Sequence, residues 1–188
     1  AYFTSYYDIM SKDQKQEMID QLTKQTAPDA VITKWTAGAT PDGNSNNFQV
    51  STDFRSSHFV ERAGSRILFK VGELIGPQIE MYRDDKRSVA VENDFNRMYT
   101  RMIKIHLPSG YQVKNADDLL IDIAYTDEDD VPFSFKSEYR IADNVLTISI
   151  EEFYKEIYAP LSRYEDFRKV VNAAADFNKI TLVLEKKN

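Results

Sequence analysis

Between Arg97 and Tyr111 the chain reads RMYTRMIKIHLPSGY, and its apolar side chains keep a period of two. Tyr99, Ile103, Ile105 and Leu107 fall at odd positions and Thr100, Lys104 and His106 at even ones, the pattern of a strand with one dry and one wet face. Arg101 interrupts the apolar row. Pro108 removes a ladder donor and Ser109 with Gly110 supplies a turn, so the strand should stop near Leu107. No catalytic or ligand-binding motif sits in this stretch. Residues and spacing alone predict a mostly β globular module.

Further segments repeat the signal. Phe48, Val50, Thr52 and Phe54 alternate with Asn47, Gln49, Ser51 and Asp53, and Ala30 to Ala37 supplies a partner strand across the turn-forming run Pro41 to Asn46. Phe59 to Arg62 and Ser65 to Val71 read as a strand pair broken at Gly64. Leu119 to Tyr125 is apolar enough for a buried strand, closed by the acidic turn Asp127 to Asp130. Phe133 to Ile141 alternates again, and Asp143 with Asn144 tolerates the left-handed backbone a hairpin needs before Leu146, Ile148 and Ile150 return. Ile180 to Glu185 closes the series, and Ala1 to Asp8, rich in aromatics, reads as one more strand. Gly72 to Asn96 has no sustained period and is expected to be a long connection across an end of the fold.

Two helices are expected. Ser11 and Gln14 form a capping box that opens a helix from about Lys12 to Thr26, with Met18, Ile19 and Leu22 as a narrow apolar stripe. Ser162 and Glu165 repeat the box ahead of a helix whose Tyr164, Phe167, Val170, Val171 and Ala174 share a face. Wet-faced alternating strands fit antiparallel pairing. The expected fold is therefore mainly β, or α+β: an antiparallel β-sandwich with two surface helices, one module over residues 1–188 with any sub-division near 72–96.

Composition removes several function classes. A hydrophobic fraction of 42% with 29% charged residues is that of an ordinary globular protein and not of a disordered one. The net charge of -6 and the absence of clustered Lys and Arg argue against a nucleic-acid partner. No apolar run approaches the roughly 18 to 20 residues that span a bilayer, and Ala1 to Asp8 lacks the basic start and apolar centre of a signal peptide. With no cysteine there is no disulfide, thiolate nucleophile or zinc finger, and compartment stays open on composition.

The residues that could carry chemistry are few. His58 and His106 are the only histidines and sit in no metal-ligand spacing. Asp127, Glu128, Asp129 and Asp130 could offer oxygens to calcium, but no Gly makes the sharp turn and a solvated turn is the plainer reading. Asp42, Asn44, Asn46 and Asp53 follow EF-hand spacing, with Asn47 where Gly and Asp53 where Glu is usual, inside a hairpin. Among 30 acidic residues a hydrolytic carboxylate pair can be imagined, but sequence does not show the separation that defines one. No GxSxG or SxxK activates a serine. Tyr2, Phe3, Tyr6 and Tyr7 could stack on a sugar or pack a core.

Read as one line, the C-terminal half carries a resemblance. Ile105-His106-Leu107-Pro108-Ser109-Gly110-Tyr111-Gln112-Val113, the strand Phe133 to Ile141, Asn144-Val145-Leu146-Thr147-Ile148, Pro160 to Phe167 and the closing ITLVLEKK resemble the C-terminal region of bacterial multidomain envelope proteins. In these, a β-sandwich of unknown function precedes a transglutaminase-like domain of papain-like fold, and such a module follows it. The capped helix, the Pro28-Asp29-Ala30 hairpin start and the Gly64 to Val71 strand lie in similar order. The family's catalytic Cys, His and Asp belong to the upstream domain, so the resemblance implies no catalytic, cofactor-binding or metal residue here. It implies a non-enzymatic accessory or interaction module in the periplasm or envelope of a Gram-negative bacterium. Its partner would be its own upstream transglutaminase-like domain or another envelope protein. The alternative is a β-sandwich module that binds a glycan or a peptide, with neither nucleic acid nor membrane insertion in either case.

Overall fold

The structure, a computed structural model, describes residues 2–40, 47–83, 87–127 and 130–187. Among these it is mostly β, with twelve strands in antiparallel sheets and three α-helices. The chain divides into two compact units, residues 1–61 and 62–188.

In the first unit, α1 (Tyr2–Ile9) and α2 (Lys12–Thr26) precede a hairpin of β1 (Val31–Ala39) and β2 (Phe48–Arg55). The capping box forms as expected: the Ser11 amide donates to Gln14 Oε1 at 2.8 Å and the Gln14 amide to Ser11 Oγ at 3.3 Å. Ile19 is fully buried, and Trp35 on β1 donates its indole N–H to Gln16 Oε1 at 2.7 Å. The strand expected at Ala1 to Asp8 is instead the helix α1. Aromatic residues favour strands only where cross-strand neighbours receive them. Here Tyr7 meets Phe48 edge-on from a helix, with ring centroids 4.8 Å apart. The β1–β2 turn, Pro41 to Asn46, lies outside the described residues.

In the second unit, β3 (Val60–Ala63), within which the boundary falls, turns at Gly64 into β4 (Arg66–Phe69). There follow β5 (Val91–Glu92), β6 (Arg97–His106), β7 (Tyr111–Val113), β8 (Ile121–Asp127), β9 (Asp130–Ala142), β10 (Val145–Tyr154), β11 (Tyr158–Ala159), α3 (Tyr164–Asn178) and β12 (Leu182–Lys186). The main sheet has the order β6-β10-β9-β8, a second has β3-β4-β12-β7, and β5 pairs with β11. Asp143 and Asn144 adopt φ of 51° and 59° at the β9–β10 turn, the left-handed backbone their side chains tolerate.

Register decides what the main sheet buries. Ile148 lies opposite Ile103 and Tyr139, and Tyr154 opposite Arg97 and Phe133, so even positions of β10 share a face with odd positions of β6 and β9. α3 closes that face. Phe167 meets Phe133 edge-on at 5.3 Å and packs on Tyr154 at 5.6 Å, and Phe177 packs on Phe135 at 5.9 Å. Leu182 and Leu184 of β12 join the same core. Each such side chain stabilises by roughly 2 kcal/mol when fully buried. An exposed ion pair contributes about 0–1 kcal/mol, so the core and not the surface charge holds this unit.

Two expectations for this unit are corrected. Ser162 does not cap α3: a 3-10 turn, Leu161–Arg163, leads in, no side chain caps the helix, and Glu165 binds Arg168 at 2.7 Å instead. The expected helical face is nonetheless buried, so α3 is a core helix and not a surface one. The segment Leu119 to Tyr125 is not a buried strand. Leu119 is fully buried in a 3-10 turn, but β8 is an edge strand and Ile123 is exposed.

Among its described residues Gly72 to Asn96 holds only a 3-10 turn, Val71–Ile75, and the two residues of β5 as regular structure, in keeping with its lack of period, and the segment belongs to the second unit. Side chains of α3 fasten its first part. Asn172 accepts from the Met81 amide at 2.7 Å and donates to the Met81 carbonyl at 3.1 Å, so one amide group replaces a rung of β-ladder. Asn178 donates to the carbonyls of Gly72 and Gly76 at 3.1 and 2.9 Å. Gly72 lies so close to the carbonyls of Phe177 and Asn178 that a Cβ has no room.

Candidate functional site

The main sheet has a second face, built by the residues that the core does not take. Across it the register sets Met98, Phe153, Ser134 and Ala124 in one row, then Thr100, Glu151, Lys136 and Asp122, then Met102, Ser149 and Glu138. Lys104, Thr147 and Arg140 form the next row, and His106, Val145 and Ala142 the last. Met98 and Met102 are 58% and 66% exposed, and Met98 lies directly across from Phe153 on this face. Open depressions of about 450, 500 and 320 Å3 lie along this sheet, the first between Met98, Phe153 and Lys155. β6 bounds the sheet: it pairs with β10 through ten residues without a register shift, and none of its side chains is buried.

At the Arg97 end of β6, charge enters the core face. Glu152, 3% exposed, accepts from Arg101 Nη1 at 2.9 Å, and its charge lies close to the Tyr154 phenol. The guanidinium of Arg97 lies 4.5 Å over the Tyr154 ring and that of Arg101 4.8 Å over Tyr99. Burial, reinforced by the Glu152 charge, pushes the Tyr154 phenol far above its ordinary range. Arg101, the residue that broke the apolar row in the sequence, is thus the counter-charge of a buried carboxylate. Such a pair holds its strands in register and offers neither a nucleophile nor an open coordination site.

The sequence candidates are not brought together. His58, in the first unit, meets Phe59 edge-on at 5.2 Å, while His106, in the second, is exposed at the end of β6. Asp127 pairs with Arg163, which also binds Glu156 at 2.9 Å, and Asp130 pairs with Lys155 at 2.6 Å. The hydrogen bond from Lys155 holds the Asp130 carboxyl below its usual range. Both carboxylates therefore face cations of their own; Glu128 and Asp129 lie outside the described residues. So do Asp42, Asn44 and Asn46, while Asp53 sits on β2 opposite Lys34. Of the tyrosines considered for stacking, Tyr6 is exposed, but Tyr7 is buried against Phe48 with Lys15 Nζ 4.6 Å over its ring. Among the described residues no group of three or more His, Asp or Glu could hold a metal ion.

One constellation has no counterpart in the sequence reading. Asp29 accepts from the hydroxyl of Ser56 and, at 2.7 and 2.8 Å, from the hydroxyl and amide of Ser57. These hydrogen bonds hold its carboxyl well below the ordinary value of 3.8. Ser56 Oγ also accepts from the His58 amide at 3.2 Å. The clasp joins the residues just before β1 to those just after β2. Its signal was there to read: an Asp and two serines placed symmetrically outside the ends of one hairpin.

No family model matches the chain, and no curated protein or solved structure matches it either. Among the described residues no helix is long and apolar enough to cross a membrane.

Proposed function

We propose that this chain is a non-catalytic interaction module, an antiparallel β-sandwich that forms the C-terminal part of a multidomain, transglutaminase-like protein of a Gram-negative envelope. The observation that carries the reading is the one-sided main sheet. Its inner face is filled by α3 and the shared core, while the other presents Met98, Met102 and Phe153 beside an open edge strand. Apolar side chains left together on an open face mark a surface that a partner covers. The sandwich reading draws on Leu182 and Leu184 of the second sheet sharing the core of the first. The envelope setting and the upstream domain draw on the HLPSGY turn and its neighbours in the sequence.

The test is to capture the native protein from its source cells with an antibody against this chain and to weigh it intact. The expected species is far heavier than 21.7 kDa and carries an upstream Cys-containing domain. A native species of 21.7 kDa would overturn the multidomain reading.

A further inference from the structure

We infer that the free edge of β6 receives an extended acidic segment of a partner protein, which adds a fifth strand to the main sheet. The inference rests on the reading of the chain as an interaction module and names the chemistry of its partner.

Three observations converge on this edge. First, β6 is the outermost strand of the order β6-β10-β9-β8, so one side of its backbone has no ladder partner among the described residues. Its sequence contains no proline, and its pairing with β10 contains no bulge, so the one protection this edge carries is its positive charge, which turns away a basic strand and not an acidic one. Second, the strand carries Arg97, Arg101, Lys104 and His106 and no carboxylate. Arg101 is committed to Glu152, and Arg97 lies on Tyr154. Lys104 and His106 stand exposed on the open face, and the nearest charge in the Lys104 row is Arg140, beyond Thr147. Third, Ile103 and Ile105, on the core face of this outermost strand, are only half-buried.

A strand laid along this edge meets two different demands. Residues that continue the core face sit beside Ile103 and Ile105 and should be apolar; those that continue the open face sit beside Lys104 and His106 and should be acidic. The partner segment therefore alternates apolar and acidic residues, with backbone hydrogen bonds giving affinity and the alternation giving register. A second copy of this chain does not meet the demand. Its β6 would bring four more basic side chains to the edge and no carboxylate, and like charges set across a strand pair repel.

The probe is a fluorescein-labelled peptide of alternating valine and glutamate, compared with one of valine and lysine. The 188-residue protein is titrated by fluorescence anisotropy, and amide exchange is followed by mass spectrometry. The glutamate peptide is expected to bind and to slow exchange across Arg97–His106, while the lysine peptide does neither. Reversing the charge at Lys104 and adding a carboxylate at His106 exchanges one attraction for repulsions, together worth about tenfold in affinity. The double variant Lys104→Glu/His106→Glu should therefore bind the glutamate peptide about tenfold more weakly and gain affinity for the lysine peptide. Of two glutamate peptides N-methylated at alternate residues, one should lose binding altogether, since only one set of amides faces β6. Absence of binding by the glutamate peptide, binding with β6 exchange unchanged, or equal binding by both N-methylated peptides would overturn the inference. None of these results touches the native mass, on which the broader reading stands or falls separately.

Discussion

Asp29 and Glu152 are both carboxylates held by specific partners, yet they act in opposite surroundings. Asp29 lies at the surface and closes a hairpin through Ser56 and Ser57. Because its folded pKa lies below the unfolded one, its contribution is present above about pH 3.8 and is lost as pH falls through the folded value. Asp29→Asn should lower the melting temperature at pH 7, and the gap to the parent should narrow as the melts are repeated at increasingly acid pH. Glu152 is buried, and removing it strands Arg101 without its counter-charge. Glu152→Ala should cost about 3 kcal/mol in urea unfolding, and the double change Arg101→Leu/Glu152→Leu should recover most of it. Tyr154 gives the same cluster an optical signature. A phenol whose folded pKa is raised stabilises fully below the unfolded value of about 10, and that stability is lost as pH rises. In an absorbance titration one tyrosine should therefore ionise only when the second unit unfolds.

At the scale of elements, α3 and the segment Val71 to Arg83 form one device. Gly72→Ala forces a methyl group against the last carbonyls of α3 and should destabilise by about 3 kcal/mol, measured by urea unfolding. Asn172→Ala frees the Met81 amide and carbonyl, so exchange at Met81 should accelerate while the β9 and β10 amides stay protected. Neither contact was legible beforehand, because a backbone held by side chains from residues 91 positions away leaves no local period. What was legible is what local chemistry dictates: the Ser11–Gln14 box, the left-handed pair Asp143–Asn144, and the alternation of β6, β9 and β10. α1 was misread because aromatic content reports packing and not backbone. The Ser162 box failed because a 3-10 turn took the position a cap would occupy. The candidate surface was half legible: parity gave the wet face of β6, but order along the chain does not say which strand ends up at an edge.

For the whole molecule, core is unevenly shared. Among the described residues the first unit buries Tyr7, Ile19, Ala27, Ala30 and Phe59, two of them alanines, while the second carries the phenylalanine, isoleucine and leucine core beneath α3. Small units with so little buried surface are marginal alone. A fragment from Arg62 to Asn188 should unfold cooperatively on heating, and one from Ala1 to Glu61 should show no transition by circular dichroism. The pairing of β6 with β10 also has a consequence for synthesis. Three intervening strands must be made before the ladder of β6 exists, so at about 5–20 residues per second it waits for several seconds on the ribosome. During that time Ile103 and Ile105 are bare in a segment ready to pair with any neighbour. Arg97, Arg101, Lys104 and His106, spaced through it, keep two nascent chains apart until the β9–β10 hairpin arrives.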